Sequence, residues 1–265
     1  MILTDRDRML LGILGDFGIL TTAQISSTVF SGVATTTVLR RLRILATRNL
    51  IRKIKGLDNG QSAWVLTSDG ASLSGQRVPQ KFVNKNTLEH DVTLSQVRLA
   101  LKTVGLGEHW QPEHVIRRLA WSDRRRREKE LSIVPDGIFV AKQKNTPKSI
   151  AVELELNLKS MSRYDEIFKR YHWVKSLWII WYIVPNKNIG GAILKRWEKS
   201  SQLSGAYLGY SLLSDVLNSP WEMKWHFQNE APLIRNCIQM TRPMNKTTAQ
   251  VPAQALSTSL EEEAA

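Results

Sequence analysis

One strand-like segment, residues 150–157, limits the folds open to this chain because it carries acids where a core strand carries apolar side chains. The residues alternate, and one face is apolar: Ile150, Val152, Leu154 and Leu156. The other face carries Ala151, Glu153, Glu155 and Asn157. Like charges on one face of a core strand are costly unless a cation neutralises them. The segment therefore predicts a core strand with a functional acidic edge.

The charge of the chain points to a polyanionic partner. Its 265 residues carry a formal net charge of +13, with a sequence pI near 10.0. Nucleic acid is the commonest partner of such a basic protein, and an anionic membrane surface is the weaker alternative. The single cysteine, Cys237, excludes an intrachain disulfide and any site built from several cysteines, which fits a reducing compartment.

No segment predicts export or membrane insertion. The first residues are interrupted by acids and lack the pattern of a signal peptide. The longest apolar run, Ser176–Pro185, has about half of the roughly 20 residues that a spanning helix needs, so it predicts a buried strand. We expect a cytoplasmic protein with no membrane partner and no small-molecule substrate.

Residues 1–75 predict a small helical domain that binds DNA. Thr4 and Asp7 form a capping signal for a first helix, which Gly18 ends. The segments TTAQISSTVF and TTTVLRRLRILATRNL predict a second and a third helix. The inner side of the third helix is predicted to carry Leu39, Leu42 and Leu45. Its opposite face carries hydroxyl and guanidinium groups that suit base edges and phosphates in a major groove: Thr35, Thr36, Arg40, Arg41 and Arg43.

The segment after the third helix predicts a two-stranded wing. LIRKIKG, the turn LDNG and QSAWVLTSDGASL read as a β-hairpin followed by the start of a short helix. The hairpin carries three basic side chains, Arg52, Lys53 and Lys55. Three helices and a wing predict a winged helix-turn-helix. An arginine-rich face is also common on a solvated surface, and winged helices also serve as protein-protein modules, so both alternatives stay open.

Residues 76–86 predict a linker, because the surrounding segment mixes Pro, Gly, Asn and Lys. Residues 87–240 predict an α/β domain with a mixed sheet. It begins with a helix that Asn86 and Glu89 cap and that ends at Gly105. The strands EHVIRRLAW, SIVPDGIFVA and SIAVELELN follow, with a basic hairpin SDRRRREKE between the first two, and helices then alternate with strands. Residues 241–265 are polar and predict a disordered tail.

Three acids are predicted to meet in this domain. Asp136 lies in the strand before Glu153 and Glu155, and neighbouring strands are about 4.8 Å apart. Carboxylates at that density suit Mg²⁺ or Mn²⁺, which would polarise a phosphodiester and lower the pKa of a bound water. Lys159, at the start of the next helix, could orient the nucleophile or offset charge on the phosphate. The pattern predicts a metal-dependent catalytic site of Asp136, Glu153, Glu155 and Lys159.

These residues resemble a known nuclease signature. Pro135-Asp136, a turn, and Glu153-Leu154-Glu155 look like the PD-(D/E)xK motif of restriction endonucleases. The chain departs from that motif, since the usual lysine position holds Glu155. Some members use glutamate there, so the resemblance implies that Glu155 is a metal ligand or a base, with Lys159 supplying the missing cation.

A longer stretch resembles the replication-relaxation family. From Leu3 to about Pro185 the chain has a leading winged helix, then LEHDVTLSQVRLAL, HWQPE, VPDGIFV, AVELEL, and a helix ending in RY before an apolar strand. Within that family it is most similar to MobC-type conjugative relaxases of mobilizable plasmids, whose nicking domain resembles restriction endonucleases. The resemblance implies site- and strand-specific nicking at a plasmid transfer origin. It also implies partners: double- and single-stranded plasmid DNA, a type IV secretion coupling protein and other relaxosome proteins.

Other candidate residues have ordinary explanations beside the functional ones. The histidines include no His-x-His pair, which excludes the histidine-based relaxase design. Tyr164 and Tyr171 are candidate covalent nucleophiles, although aromatic residues at helical spacing more often belong to a core. A basic run is either a solvated hairpin tip or a clamp on the DNA backbone: Arg124, Arg125, Arg126 and Arg127.

Two other functions fit the same residues. The first is a plasmid replication or transcription regulator whose nuclease-like domain is inactive and serves dimerisation or partner binding. The second is a restriction-type enzyme that makes double-strand breaks.

Overall fold

The computed structural model describes residues 3–75, 83–107, 109–122, 133–143, 146–172, 174, 176–200 and 205–227. Within these ranges the chain forms two compact units, one up to Gln96 and one from Val97. Most of the predicted linker, the basic run 124–127 and the predicted tail 241–265 lie outside the described residues. No helix in the described part is long and apolar enough to cross a membrane.

The first unit combines short helices with a small sheet. Its elements are α1 (Asp5–Phe17), β1 (Ile19–Thr21), α2 (Thr22–Val29), α3 (Thr35–Thr47), β2 (Ile51–Ile54), β3 (Ala63–Leu66) and α4 (Ser68–Leu73). The strands form an antiparallel sheet in the order β1-β3-β2. The predicted order of three helices and a hairpin is confirmed, and β1 adds a third strand.

The first helix begins and ends where its sequence signals predict. Thr4 donates its backbone N–H to the Asp7 carboxylate at 2.7 Å and accepts the Asp7 N–H at 3.3 Å, which closes a capping box. Gly18 follows the helix with φ 82°, a conformation that costs a residue without a side chain little. Thr21 and Gln24 form a second capping box at the start of α2.

The buried side of α3 differs from the prediction by one position. Val38, Leu42 and Leu45 are buried, whereas Leu39 is only half-buried. Spacings of four and three residues follow the helical period and place Val38 in line with the two leucines. The inner side of α3 therefore includes Val38, which the sequence analysis did not name, with Leu39 at its border.

The second unit is built on a six-stranded mixed sheet. A 3-10 turn (Lys85–Thr87) leads into α5 (Leu88–Thr103), within which the two units divide. The elements that follow are β4 (Gln111–Pro112), α6 (Glu113–Ser122), β5 (Gly137–Gln143), β6 (Thr146–Leu154), α7 (Met161–Tyr171), β7 (Leu177–Val184), α8 (Lys187–Ser200), β8 (Tyr207–Leu212), α9 (Leu213–Asn218) and β9 (His226–Phe227). The strand order is β4-β5-β6-β7-β8-β9, with β6, β7 and β8 parallel and the other pairs antiparallel.

One local prediction in this unit was wrong. The segment EHVIRRLAW is helix α6 rather than a strand, and β4 takes the place beside β5. Glu113 and Arg117 bond at 2.8 Å across one helical turn, a spacing at which helix side chains are neighbours. The 3-10 turn before α5 is capped by Asn84, whose side chain accepts the Asn86 N–H at 3.0 Å. The predicted helix end at Gly105, which has φ 71°, is confirmed.

The sheet is covered on one face by α7 and α8. These helices connect the parallel strands β6, β7 and β8, and side chains of both pack in one core against the sheet. The core on that side contains Ala151, Tyr164, Phe168, Tyr171, Ile180, Tyr182, Ile193 and Trp197. All eight residues of β7 are buried, so the apolar run is a buried strand as predicted.

Aromatic rings pack elsewhere around the sheet. Trp110 stacks on Phe139 with ring centres 5.9 Å apart, and Trp181 stacks on Trp225 at 4.1 Å. Trp110 also lies against Gly137, where a Cβ atom would come within 2.2 Å of its ring. Glycine at this position therefore lets the indole lie directly over the start of β5.

Candidate functional site

The three predicted acids lie at the carboxyl end of β6. Glu153 is the penultimate residue of that strand, and Glu155 directly follows it, with its N–H bonded to the Ile183 carbonyl at 3.0 Å. Asp136 precedes β5 rather than lying within it, and its carboxylate accepts the Leu154 N–H at 2.7 Å. That bond ties the start of β5 to the end of β6. The structure thus brings all three acids to one end of the sheet.

Glu153 occupies the helix-covered side of the sheet. Its carboxylate accepts a hydrogen bond from the hydroxyl of Tyr171 on α7. Burial, and after it the nearby charge of Asp136, raise the pKa of Glu153 well above its ordinary value, although the Tyr171 bond lowers it. A carboxylate in this position is costly to ionise without a cation.

Glu155 is engaged by a cation from the chain itself. It is 5% exposed and forms an ion pair with the ammonium group of Lys159, which is 43% exposed. The backbone N–H of Lys159 donates to the hydroxyl of Tyr164 at 3.3 Å, and Ser160 then caps α7. The loop between β6 and α7 is therefore held by side chains at both of its ends.

The donor chemistry suits a hard divalent cation, although the predicted cluster of three ligands is not formed. Among the residues that the structure describes, no group of three or more His, Cys, Asp or Glu side chains could hold a metal ion. Asp136 and Glu153 act on each other as like charges, while Glu155 is paired with Lys159. Mg²⁺ commonly uses one or two carboxylates together with substrate phosphates. Asp136 and Glu153 would fit such a site as its two protein ligands.

The two candidate tyrosine nucleophiles are core residues in this structure. Tyr164 is fully buried and Tyr171 is 1% exposed, and Tyr164 stacks on Phe168 at 5.8 Å. Burial raises the pKa of both hydroxyls, and the negative charges of Glu155 and Glu153 add to the effect at Tyr164 and Tyr171 respectively. Both features oppose the formation of an attacking phenolate.

The predicted DNA-facing residues of α3 separate into two groups. Four of them are exposed: Thr35, Thr36, Arg40 and Arg43. Arg41 instead turns towards α1, where its Nε lies 2.7 Å from Oδ1 of Asp7. Burial acts to raise the pKa of Asp7, but hydrogen bonds from Arg41 and Thr4 outweigh it and hold the pKa below its ordinary value. The prediction that Arg41 belongs to the outer face was wrong, because the nearest buried carboxylate draws it inward.

The wing retains its predicted basic side chains at the surface. Arg52, Lys53 and Lys55 are exposed, while Ile51 and Ile54 of β2 are buried. The first unit therefore presents five exposed cations on α3 and in or beside β2: Arg40, Arg43, Arg52, Lys53 and Lys55.

A comparison with protein families decides what kind of chain carries these sites. The family model described as replication-relaxation matches residues 11–176. The chain belongs to the replication-relaxation family. No curated protein and no solved structure matches it. Membership points to a role in plasmid replication or relaxation.

The replication-relaxation match extends from within α1 to the end of the α7 region and includes all the predicted acids. It stops before Tyr182, which sequence reasoning missed. Tyr182 lies beside Glu153 in the parallel pairing of β6 and β7, and its buried hydroxyl has no hydrogen-bond partner among the described residues. The alternation of side chains along β7 could have predicted which face of the sheet Tyr182 occupies. Its neighbour, Glu153, is revealed by the register between β6 and β7, which the sequence does not give.

Proposed function

We propose that this replication-relaxation protein is a MobC-type relaxase that nicks one strand of plasmid DNA at a transfer origin. The observation that carries the proposal is the meeting of Asp136, Glu153 and Glu155 at the end of β6, with Lys159 beside them. In this proposal the second unit is a nuclease core of the PD-(D/E)xK type. Acids held together at a sheet edge, in a basic chain of a plasmid-associated family, suit phosphodiester chemistry.

The first unit would act as the DNA reader, as a winged helix-turn-helix. Its α3 begins with exposed Thr35 and Thr36 and continues with exposed Arg40 and Arg43, residue types that reach base edges and phosphates. The wing would add phosphate contacts through Arg52, Lys53 and Lys55. This arrangement assigns recognition to one unit and chemistry to the other.

Asp136 and Glu153 would hold a Mg²⁺ or Mn²⁺ ion. When bound, such an ion supplies charge stabilisation for the scissile phosphate and lowers the pKa of an attacking water. Asp136 is oriented by the Leu154 N–H, and Glu153 by the Tyr171 hydroxyl. Lys159 would place its exposed ammonium near the phosphate, while its bond to Glu155 keeps the loop in register.

The proposed partners follow from this function. They are double- and single-stranded plasmid DNA at the transfer origin, a type IV secretion coupling protein and other relaxosome proteins, in the cytoplasm of a bacterium. The net charge of +13 supports the nucleic-acid partner directly.

The test is nicking of a supercoiled plasmid that carries the transfer origin, with Mg²⁺ or Mn²⁺. Asp136→Asn and Glu153→Gln should each slow nicking by at least about 100-fold, because the ion is worth several kcal/mol to the transition state. Both variants should bind the origin as the parent does. Glu166→Gln is the matched control, since that carboxylate lies on α7 but is exposed and paired with Arg163. If both site variants nick at the rate of the parent, the proposal is wrong. A linear product would indicate a double-strand endonuclease instead.

A second candidate is a plasmid regulator with an inactive nuclease-like unit. The observation that favours it is that Glu153 and Glu155 already have partners within the chain, Tyr171 and Lys159. Calorimetry with Mn²⁺ separates the two functions. Mn²⁺ binding that is lost when Asp136 or Glu153 is replaced would support the relaxase. If no such binding is measured, with or without origin DNA, the regulator is supported.

A further inference from the structure

Two tyrosine rings flank Glu153 from different elements. Tyr171 comes from the last turn of α7, and Tyr182 is the register neighbour of Glu153 on β7. Both rings are 1% exposed and belong to the core between the sheet and α7 and α8. Packing in this core therefore holds both rings.

Only one of these tyrosines hydrogen-bonds to Glu153. The Tyr171 hydroxyl donates to Oε1 of the carboxylate, whereas the Tyr182 hydroxyl has no partner in the described part of the chain. Tyr171 therefore holds one defined oxygen of Glu153, Oε1.

The chemistry of the Tyr171 donor differs from that of the Lys159 donor. Lys159 brings a full positive charge to Glu155, which would compete with a bound cation for the same carboxylate. A phenol is neutral, so it fixes the direction of the Glu153 carboxylate without neutralising it. Partners that orient a metal ligand in this way typically change metal affinity by about 10- to 100-fold.

We propose that Tyr171 is a positioning residue that holds Glu153 in the orientation in which it binds a divalent cation. This proposal rests on the function proposed above and gives Tyr171 a role other than that of a nucleophile. The seven-residue spacing of Tyr164 and Tyr171 then has a structural meaning: one hydroxyl holds the Lys159 backbone and the other holds Glu153.

The experiment is Mn²⁺ titration calorimetry on the full chain, comparing Tyr171→Phe with Tyr182→Phe. Each substitution removes one buried hydroxyl beside Glu153 and keeps the ring. Tyr171→Phe should weaken Mn²⁺ binding by about 10- to 100-fold, and Tyr182→Phe by less than about twofold. In nicking assays, raising the Mn²⁺ concentration should restore most of the rate of Tyr171→Phe, which a misfolded protein would not show.

Thermal unfolding with and without Mn²⁺ provides an independent readout. The rise in midpoint that Mn²⁺ produces should be smaller for Tyr171→Phe than for the parent, whatever the midpoint without Mn²⁺. A Tyr171→Phe variant without a cooperative transition would assign the hydroxyl to folding and overturn the proposal.

The outcomes separate this proposal from the proposed function. If the parent binds no Mn²⁺, with or without origin DNA, both fail. If the parent binds Mn²⁺ and Tyr171→Phe binds it equally well, only the positioning role fails. Equal losses in the two variants would show that core packing, and not the hydrogen bond, controls affinity, and would also overturn the proposal.

Discussion

Replacing Arg41 by alanine should destabilise the protein while leaving its DNA-binding face intact. The Asp7 side chain is fully buried, and the Arg41 guanidinium contacts both of its carboxylate oxygens while remaining 23% exposed. In Arg41→Ala the carboxylate would keep only its bonds to Thr4. A buried charge would then lack its counter-charge.

The cost can be worked from this geometry. Removing one partner of a buried ion pair typically costs about 3 to 5 kcal/mol. The bonds to Thr4 survive and water reaches the partly exposed end of the pair, so we expect a loss of about 2 to 3 kcal/mol in the free energy of unfolding. With a urea dependence of about 2 kcal/mol per molar, the urea midpoint should fall by about 1 to 1.5 M.

The assay is urea unfolding of the full chain, with hydrogen exchange of peptides from α1 and α3 as the local readout. Arg40→Ala is the matched control, because Arg40 is the preceding residue on the same helix and is exposed. It should change stability by less than about 0.5 kcal/mol. Equal stability of the two variants would refute the assignment of Arg41 to the buried pair.

The pH dependence of stability provides a second test of the ion pair between Asp7 and Arg41. The pKa of Asp7 in the folded protein lies below its ordinary value of 3.8. Its contribution to stability is therefore present above that value and is lost as the pH falls through the lowered pKa. The stability difference between the parent and Arg41→Ala should shrink in acid below about pH 4.

Affinity for DNA should depend on the exposed arginines of α3 and not on Arg41. Arg40→Ala combined with Arg43→Ala should lower origin affinity by at least about tenfold, since each base-directed contact contributes about 1 to 3 kcal/mol. If the lost contacts go to phosphates, the log-log slope of affinity against salt concentration should flatten by about 0.9 for each phosphate contact removed. Arg41→Ala, measured where it is folded, should bind within a few-fold of the parent. Loss of affinity in Arg41→Ala alone would contradict the division of α3 into an outer and an inner face.

Two further predictions concern the second unit. Because the folded protein raises the pKa of Glu153 above its ordinary value of 4.5, this group's contribution to stability is present below that value and is lost as the pH rises. In chelator, Glu153→Gln should therefore gain stability relative to the parent between about pH 4.5 and 7 in urea unfolding, and a constant difference would contradict the raised pKa. Gly137→Ala should lower the free energy of unfolding by about 1 to 3 kcal/mol, because the new Cβ would lie 2.2 Å from the Trp110 ring. Gly191→Ala is the control and should be neutral or slightly stabilising, because nothing lies within 4 Å of the added Cβ. Equal urea midpoints for the two variants would contradict this close packing.

Features that depend on neighbours along the chain could be predicted from the sequence alone. The helix start at Thr4, the helix end at Gly18 and the buried apolar strand β7 follow from capping chemistry, glycine conformation and hydrophobic pattern. The alternation in residues 150–157 also placed Glu153 on a defined face, because side chains alternate strictly along a strand. These signals are local, so one stretch of sequence contains all the information that they need.

Contacts between groups that are distant in sequence could not be predicted in this way, because they depend on how the helices and strands pack. Arg41 bonds to Asp7 from a different helix, and Tyr182 reaches Glu153 through a parallel pairing of strands that α7 separates in sequence. The same holds for the carboxylates, since whether Glu155 meets a metal or Lys159 depends on the path of the loop that follows β6. The partner of a charged group is the opposite charge or hydrogen-bond donor that the packing of helices and strands places near it. The pattern of residues along a single helix or strand does not contain that partner, because the free energy of burying a charge depends on what the rest of the fold places around it.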